Sequence, residues 1–503
     1  MNICIKLHES DNVAVALREI KQGEEVASGV ISRQEIPQGH KVALTGIPVD
    51  GQIVRYGVTL GYALQPIGAG EWVHESMMRL PAPPVLEKMT FATNIASTLP
   101  KAPTRAFWGY PDPNDGYAGT RNILALHTTV QCVAGVVNVA LERMKRELLP
   151  RFPYVDDIVL INHAYGCGVA INAPEAVIPI RALRNLIKHP NFGGQVMCIA
   201  LGCEKLTPEM LLEPEDNNKD NVLILQELHG VEAMIEGLMN MAEKKLEKLN
   251  QRRRQELPLS HLAVGLQCGG SDAFSGISAN PSVGHAADLL VEAGATVLFS
   301  EVTEVRDGVH LLAQRCMSEQ VGQKLVAEMQ WYDNYLDAGK VDRSANPTPG
   351  NKKGGLSNIV EKAMGSITKS GSSPIVEVLS PAERPTKRGL IYAATPASDF
   401  VCGSCQLASG IGLQVFTTGR GTPYGLAAIP VVKVCTRNEL KEQWPDLIDV
   451  NAGPVATGEA TVQEIGLQMF HEIIRVASGE KKTFAEKYRL HNDFCIFNPA
   501  PIT

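Results

Sequence analysis

The chain has 503 residues, of which 44% are hydrophobic and 20% charged, and its formal net charge is -7. This length exceeds what one hydrophobic core supports, so we expect a soluble globular protein of roughly two to four domains. The negative charge, without any long basic run, excludes nucleic acid as an expected partner.

The start of the chain and its cysteines indicate the compartment. The first residues, MNICI, lack the basic stretch and long apolar core of a signal peptide. No apolar stretch reaches the roughly 20 residues that a membrane-spanning helix needs, so we expect no membrane association. The 11 cysteines are odd in number and scattered, which argues against a secreted disulfide framework. We therefore expect a cytoplasmic protein with reduced thiols.

Residues 1–80 are predicted to form a small all-β module. Short apolar runs at 12–16, 41–44, 51–55 and 57–61 alternate with turn residues at a spacing typical of such a module. The Pro-rich passage 81–105 cannot hold a regular helix or a central strand, and we interpret it as an extended linker. A linker of this length predicts that the module docks on the rest of the chain or moves relative to it.

From residue 106 onwards, strand-like and helix-like segments alternate, which predicts parallel strands joined by helices. In the middle domain, 106–258, the predicted strands are 155–163 and 195–202 and the predicted helices 175–189 and 233–254. In the carboxyl-terminal domain, 259–503, strands are predicted at 261–266, 295–300, 389–394, 412–417 and 429–434, and helices at 284–293, 321–336, 355–370 and 461–477. We expect a multidomain α/β protein whose last domain is a doubly wound, mostly parallel sheet. GxGxxG is absent from the first strand-helix turn, so no dinucleotide site is predicted.

The segment 267–281, QCGGSDAFSGISANP, carries the densest chemistry of the chain. It follows a predicted buried strand, and its glycines let the backbone approach a ligand closely. Polar clusters follow other predicted strands at 162–168, 201–205, 300–307, 395–405 and 417–425. Because ligands bind beyond the carboxyl ends of parallel strands, this repetition predicts an enzyme with one shared crevice. For Asp272, the alternative is a helix cap.

Thiols and carboxylates in these loops are candidate metal ligands. The cysteines that stand beside glycine, and could bind iron or a cluster as single ligands, are Cys167, Cys203, Cys268 and Cys402. The carboxylates available to a divalent ion are Asp272, Glu301, Glu304 and Asp307. The alternatives are small buried cysteines and carboxylates that cap helices or face solvent. The CxxC pair at 402–405 has no second pair, so a structural zinc site is not predicted.

Basic residues in glycine-bracketed loops suit an anionic substrate. Lys352 and Lys353 lie between glycines, and Arg420 follows another predicted strand. An arginine binds a carboxylate through two parallel hydrogen bonds, whereas a lysine acts as a point charge or a base. His163 lies in a predicted turn and is the preferred histidine candidate, with a buried structural histidine as the alternative.

Several long motifs of the chain resemble one known family. They are QCGGSDAFSGISANP, SEVTEVRDGVH, NPTPGNKKGGLSNIVEKAMGSI, TPASDFVCG and TTGRGTPYG, together with IPQGHKVAL, NHAYGCGVAINAP and the end FNPAPIT. These motifs extend over nearly the whole chain and resemble the galactarate/altronate dehydratases of sugar-acid catabolism. Segment 331–355 is most similar to the members that act on galactarate.

The resemblance implies a β-clip (SAF-like) amino-terminal module, a middle α/β domain that forms a homodimer and a Rossmann-like catalytic domain at the carboxyl end. It also implies a divalent metal, with Fe²⁺ preferred and an iron–sulfur cluster as an alternative. The implied reaction is loss of water from galactarate, a sugar diacid, to give 5-dehydro-4-deoxy-D-glucarate. By analogy, the metal centre is expected around Cys268 and Asp272.

Roles for the candidate residues follow from this chemistry. The expected metal ligands are Cys268, Asp272, Glu301, Cys402 and Cys167. Lys352, Lys353 and His163 are the expected bases, and Asp272 is also expected to act catalytically. Arg420 and Arg306 are expected to hold the terminal carboxylates, and Asn280 and Ser271 to bind substrate. The alternatives are an altronate-type dehydratase acting on a monoacid, a non-catalytic sugar-acid binding protein and an iron–sulfur redox protein.

Overall fold

The computed structural model describes residues 3–112 and 116–502. Residues 1 and 2 of the predicted module, 113–115 of the predicted middle domain and 503 at the end of the FNPAPIT motif lie outside the described residues. Within the described ranges, no helix is long and apolar enough to cross a membrane.

The amino-terminal module is all-β in its described part, as predicted. Its strands are β1 Cys4–Ile5, β2 Val13–Ala16, β3 Glu25–Ala27, β4 Val30–Ile31, β5 Lys41–Ala43, β6 Gln52–Arg55, β7 Val58–Ala63, β8 Trp72–Val73 and β9 Met78–Arg79. They form antiparallel sheets in the orders β1-β2-β5-β8, β3-β4 and β6-β7-β9. Turn residues at short intervals explain why the strands are short and connected locally.

The segment 81–105 lies along the carboxyl-terminal region. Its regular structure is one short 3-10 turn, Leu86–Lys88. Arg343 Nη2 donates a hydrogen bond to the Pro81 carbonyl (2.7 Å), and Arg306 Nη1 donates to the Pro84 carbonyl (3.0 Å). Phe91 packs on Gly322, where an added Cβ would lie 2.1 Å from the phenyl ring. This segment is therefore bound to the protein surface along its length.

The middle region contains a four-stranded parallel sheet in the order β12-β11-β13-β14. The strands of the middle region are β10 Ala106–Gly109, β11 Ile123–Thr128, β12 Asp157–Ile161, β13 Cys198–Ala200, β14 Val222–Ile224 and β15 Gln255–Pro258. Its helices are α1 Ala134–Arg143, α2 Val177–Ile187, α3 Pro208–Leu211 and α4 Gly230–Leu249. β10 pairs with β15 in antiparallel fashion, so the two ends of this region meet.

The carboxyl-terminal region contains a seven-stranded sheet in which every pair of neighbours is parallel. The strands are β16 Ala263–Cys268, β17 Thr296–Phe299, β18 Ile375–Leu379, β19 Leu390–Ala393, β20 Leu413–Thr418, β21 Val431–Cys435 and β22 Val450–Asn451. The helices are α5 Ala279–Glu292, α6 Val309–Arg315, α7 Glu319–Ala338, α8 Pro349–Lys353, α9 Ile359–Ile367, α10 Asp399–Ala408, α11 Asn438–Gln443, α12 Gly453–Thr457, α13 Val462–Ala477 and α14 Phe484–Lys487. The predicted parallel sheet is confirmed.

Strand order places a crevice at the carboxyl ends of β16 and β20. The sheet order is β18-β19-β17-β16-β20-β21-β22. Strands β17, β18 and β19, which follow β16 in the chain, lie on one side of it, and strands β20, β21 and β22 lie on the other side. Loops after the neighbouring strands β16 and β20 therefore diverge, which is where open α/β sheets bind ligands. The segment 267–281 begins at the end of β16 and lies at this crevice.

A buried set of charges docks the amino-terminal module on the carboxyl-terminal region. Lys41 Nζ lies 3.0 Å and 3.1 Å from the two carboxylate oxygens of Glu361, and Arg55 Nη1 also pairs with that carboxylate. All three side chains are at most 2% exposed. Gly39, with φ +84°, lies so close to Gly354 that an added Cβ would be 2.9 Å from its carbonyl oxygen. The module therefore packs directly on the loop before α9.

Two histidines are buried in the middle region without charge. His189 Nε2 donates to the Ile411 carbonyl (2.9 Å), and its Nδ1 accepts from the Asn191 amide (3.2 Å). His127, on β11, is 3% exposed. Burial lowers the pKa of both histidines to about 3.

We expect the protein to lose stability as the pH falls from 7.5 to 5. Because unfolded histidine has a pKa of about 6.5, the unfolded chain binds more protons than the folded chain below that pH. Each buried histidine then contributes a slope of up to about 1.4 kcal/mol per pH unit. Urea unfolding at several pH values should show a shallower slope for His189→Gln. The exposed His8→Gln variant is the control, and an unchanged slope in both variants would contradict the assignment.

We expect Glu361→Gln to loosen the docked module. This substitution leaves Lys41 and Arg55 buried without their counter-charge, which costs about 3–5 kcal/mol. Limited proteolysis should cut within 81–105 faster than in the parent protein, and the thermal midpoint should fall. Glu147→Gln, which removes an exposed carboxylate paired with Arg143 and Arg146, should change neither quantity.

Candidate metal and active site

A thiol and two carboxylates meet at the carboxyl ends of β16 and β17. Cys268 ends β16, and Glu301 and Glu304 lie in the loop after β17. Cys268 Sγ lies 3.3 Å from Glu304 Oε2 and 3.9 Å from Glu301 Oε2. Each residue offers one ligand atom within 4.8 Å of the others, and all three side chains are buried. We call these residues the thiol–carboxylate cluster.

Two lysines from the α9 region neutralise the cluster. Lys369 Nζ lies 2.9 Å from Glu301 Oε2 and 3.3 Å from Cys268 Sγ. Lys362 Nζ lies 2.6 Å from Glu304 Oε1. Ser366, between the lysines, contacts both Cys268 and Lys369. Since unpaired charges are costly to bury, these ion pairs allow two carboxylates to lie inside the protein.

The protonation states follow from burial and from these pairs. Burial raises the pKa of Cys268 to about 12, so the thiol is protonated at neutral pH. Burial raises the pKa of Glu301 to about 7 against the opposing charge of Lys369. Burial would also raise the pKa of Glu304, but Lys362 and Lys369 outweigh it and lower that pKa. For both lysines, the neighbouring acidic groups outweigh burial and raise the pKa.

Glu301 has two features that distinguish it from the other buried acids. Its backbone has φ +78°, a left-handed conformation that costs a non-glycine residue energy and is enriched at functional sites. Its Oε1 atom is buried and has no hydrogen-bond partner. A buried carboxylate oxygen without a partner is available to a ligand.

Asp399 is a further buried acid next to the thiol–carboxylate cluster, and the sequence analysis did not name it as a candidate. It begins α10, after β19, and an added Cβ at Gly269 would lie 2.4 Å from its Oδ2 atom. Gln267 Nε2 donates to the Asp399 carbonyl (3.0 Å). Burial, with a further contribution from Glu304, raises the pKa of Asp399 to about 6.

Asp272 lies in the crevice with both carboxylate oxygens already engaged. Oδ1 accepts from the Phe274 amide (3.1 Å) and the Ser275 hydroxyl (3.2 Å). Oδ2 accepts from the Thr436 hydroxyl (3.0 Å) and from Arg437 Nε (3.1 Å). Asp272 therefore fixes the loop after β16, and it is not one of the residues of the thiol–carboxylate cluster.

Ser271 and Asn280 line a narrow cavity next to Cys268, which Tyr56 of the amino-terminal module also lines. Asn280 Nδ2 donates to the Gly365 carbonyl (3.0 Å), and Asn280 Oδ1 accepts from Thr417 (2.7 Å). The Ser271 hydroxyl is buried without a partner. The cavity measures about 10 Å³, close to the room that one water molecule needs.

Lys352 and Lys353 end the short helix α8, which is anchored on the loop after β16 because Asn351 Nδ2 donates to the Ser271 carbonyl (2.8 Å). Both lysines line a 570 Å³ pocket between the two regions, together with His40 and Trp72 of the module. Arg420 is exposed, and its backbone amide donates to the Gly270 carbonyl (2.8 Å). All three basic residues therefore lie on segments that contact the loop after β16.

The remaining candidates lie outside the cluster. Arg306 is buried and paired with Asp333, with its Nε 2.9 Å from Oδ2. Cys402 is buried within α10, where burial and then the charge of Glu301 raise its pKa. His163 lies at the end of β12 in the other sheet, and both ring nitrogens are engaged, with the Thr128 carbonyl and the Tyr165 amide. Cys167 is an exposed thiol in that same region.

Sequence reasoning missed Lys362 and Lys369, which lie in and after a predicted helix. Every residue of α9 is buried, so its charged residues must have buried partners. The signal in the sequence was IVEKAMGSI, in which a glutamate and a lysine interrupt an otherwise apolar and small-residue helix.

The cluster fits a divalent transition metal such as Fe²⁺. One thiol and two carboxylates mix soft and hard ligands, which iron(II) accepts, and Glu301 adds an oxygen without a partner. The three residues come from two loops at the end of the sheet, so the fold already positions them. A bound ion would compete with Lys369 for Glu301 and with Lys362 for Glu304.

Three family models match the chain. They are described as the altronate/galactarate dehydratase SAF domain (residues 2–81), the D-galactarate dehydratase/altronate hydrolase second domain (109–250) and the D-galactarate/altronate dehydratase C-terminal domain (259–502). Galactarate dehydratase (L-threo-forming) of Escherichia coli K12 is 57% identical, covering 99% of this chain and 97% of the relative. Altronate dehydratases of Bacillus subtilis 168 and E. coli K12 are 35% and 34% identical, each alignment covering 97% of this chain and 98% and 97% of the relative.

If the thiol–carboxylate cluster binds Fe²⁺, Cys268→Ser and Glu301→Gln should each weaken that binding by at least about 10–100-fold, because each removes a candidate ligand and even the loss of an outer-shell partner has an effect of that size. Anaerobic calorimetric titration with Fe²⁺ measures this directly. Asp272→Asn is the matched control: it alters a buried acid of the same crevice whose oxygens are occupied by protein donors. Equal loss of binding in Asp272→Asn would place the metal at Asp272 instead.

Proposed function

Because the chain belongs to the galactarate/altronate dehydratase family, we propose that it removes water from galactarate in sugar-acid catabolism, using the thiol–carboxylate cluster. The galactarate dehydratase of E. coli K12, at 57% identity, is named for this reaction and aligns along almost the entire chain. The proposed location of the site is supported by one observation: Cys268, Glu301 and Glu304 lie together at the carboxyl ends of parallel strands.

The reaction needs a base, an acid and a stabiliser of negative charge. Loss of water from a hydroxy acid begins with removal of a weakly acidic proton beside a carboxylate and ends with departure of hydroxide. Cys268, Glu301 and Glu304 would hold a divalent ion, with Fe²⁺ preferred, which would supply Lewis-acid stabilisation of negative charge on substrate oxygen. The proton transfers are the work of this chain's own side chains.

The buried charges suggest how those transfers are divided. Lys369 and Lys362 are held as ammonium groups by Glu301 and Glu304, so they are placed to stabilise the departing hydroxide as charged hydrogen-bond donors. Asp399, an acid beside the end of β16, is our choice for the base. Lys352 and Lys353 remain the competing choice, because they lie on a segment that contacts the loop after β16. His163 is less suitable, since both of its nitrogens are engaged in the other sheet.

Binding of a diacid calls for positive charge at both ends of the substrate. Arg420, Lys352 and Lys353 lie on segments that contact the loop after β16 and suit one terminal carboxylate, while Ser271 and Asn280 line the inner cavity. That cavity, about 10 Å³, is too small for a sugar diacid. We infer that substrate enters when the amino-terminal module, which contributes Tyr56 to the cavity wall, separates from the loop after β16.

The finer structural assignments belong to the same proposal. We infer a β-clip fold for the module, a Rossmann-like fold for the carboxyl-terminal region and a homodimer formed through residues 106–258 in the cytoplasm. An altronate-type activity on a monoacid is the second candidate, supported by relatives with that name at 35% and 34% identity.

We expect the purified protein to convert galactarate to a keto-deoxy diacid only with Fe²⁺ and a reductant under anaerobic conditions. Product is measured by mass spectrometry, with altronate assayed in parallel. Full turnover after exhaustive chelation would contradict the metal requirement, and a preference for altronate would favour the second candidate.

Arg420→Lys keeps the charge but loses the pair of parallel hydrogen bonds to a carboxylate, so it should reduce kcat/KM for the diacid more than for the monoacid.

Deuterium exchange separates the base candidates. If Asp399 takes the proton, Asp399→Asn should lower kcat by about 10²–10⁴-fold and abolish deuterium uptake at the carbon beside the carboxylate. Lys352→Met and Lys353→Met should keep that exchange and raise KM instead. Loss of exchange in a lysine variant, with Asp399→Asn still exchanging, would assign the base to that lysine.

A further inference from the structure

Three exposed cysteines follow three adjacent strands of the middle sheet. Cys132 lies in the turn after β11, Cys167 in the loop after β12 and Cys203 in the loop after β13. All three thiols are free and exposed. Since β11 pairs in parallel with both β12 and β13, their carboxyl ends lie at one edge of the sheet. The thiols therefore come from three loops at the same edge.

Backbone contacts bind these three loops to one another. The Gly166 carbonyl accepts from the amides of Lys205 (3.1 Å) and Leu206 (3.4 Å). Gly166, with φ +111°, lies so close to the first loop that an added Cβ would be 2.1 Å from the Thr129 carbonyl oxygen. The Thr129 hydroxyl donates to the carboxylate of Glu204. Each cysteine lies within three residues of one of these contacts, a reach of at most about 10 Å, so the three thiols lie around the place where the loops meet.

Two buried polar atoms of the loop after β12 lack hydrogen-bond partners. Tyr165 is 4% exposed, and its hydroxyl has no hydrogen-bond partner. Asn162 Oδ1, at the start of this loop, is also buried without a partner. Buried polar atoms rarely lack partners unless a ligand, ion or water satisfies them. Gln226 Nε2 donates to Cys203 Sγ at 3.4 Å, the type of hydrogen bond that tunes a ligand sulfur.

We propose that Cys132, Cys167 and Cys203 hold an iron–sulfur cluster at the carboxyl edge of the middle sheet. This centre is separate from the thiol–carboxylate cluster, whose ligands lie in the other sheet, and it goes beyond the proposed dehydration. Three thiolates would bind three irons of a [4Fe–4S] core and leave the fourth iron open to a ligand that is not a cysteine.

The separation of the thiols argues against a single ion held by all three. One tetrahedral ion with metal–sulfur bonds of about 2.3 Å holds its ligand sulfurs roughly 3.8 Å apart. Cys132, Cys167 and Cys203 do not form a group whose ligand atoms all lie within 4.8 Å, as Cys268, Glu301 and Glu304 do. An inorganic iron–sulfide core lies between its cysteine ligands and spans a larger separation. Exposure of the thiols leaves the site open to assembly from solution.

The test is anaerobic reconstitution of the full chain with Fe²⁺ and sulfide. We expect visible charge-transfer absorbance and about four iron and four acid-labile sulfide ions per chain beyond any iron bound without sulfide. Cys132→Ser, Cys167→Ser and Cys203→Ser should each lose the sulfide and the absorbance. Cys495→Ser, a partly exposed cysteine elsewhere, is the matched control and should keep both.

Two further measurements separate failure of this proposal from other causes of a negative result. In the unmodified chain, reconstitution should protect Cys132, Cys167 and Cys203 from alkylation, read by peptide mass spectrometry, so the result does not depend on variants that fold. Cys268→Ser should lose the proposed catalytic metal but keep the labile sulfide, which separates failure of this proposal from failure of the proposed function. Absence of labile sulfide in the reconstituted chain, uptake of zinc alone, or loss of sulfide only in Cys268→Ser would overturn the proposal.

Discussion

Buried charges on and after one helix connect the parts of this protein. Every residue of α9 is buried, yet it carries Glu361 and Lys362, and Lys369 follows it directly. Glu361 pairs with Lys41 and Arg55 of the amino-terminal module. Lys362 and Lys369 pair with the carboxylates of the thiol–carboxylate cluster. An unpaired buried charge costs several kcal/mol. Loss of any one of these ion pairs is therefore expected to disturb the packing around the other two.

This arrangement couples docking of the module to the electrostatics of the site. Glu361 and Lys362 are consecutive residues of a rigid helix, one facing the module and the other Glu304. The module also contributes Tyr56 to the cavity beside Cys268. The module therefore forms part of the wall of this cavity and covers Glu361. Burial in turn sets the raised pKa values of Cys268, Glu301 and Asp399.

Element prediction succeeded where local signals are strong and was incomplete elsewhere. Apolar runs followed by polar clusters identified β16, β17 and β20 to within about two residues. Helix α5 begins at Ala279, five residues before the predicted start, because Pro281 fits the first turn, where no intrahelical donor is needed. Strand β11, Ile123–Thr128, was missed although it is central to its sheet. A short apolar run alone does not distinguish a buried strand from a helical segment.

The sequence by itself determined the family and the order of all-β and α/β regions, since these depend on motifs and local patterns, and it predicted the loop after β16 as the candidate site. Only the tertiary structure decided which charged residues share a site. Cys268 and Glu301 were predicted ligands that do meet, whereas Asp272 is occupied by Arg437 and Thr436. Lys369 reaches Cys268 from 101 positions away. Such pairings arise from the order in which strands assemble, and local sequence carries no record of that order.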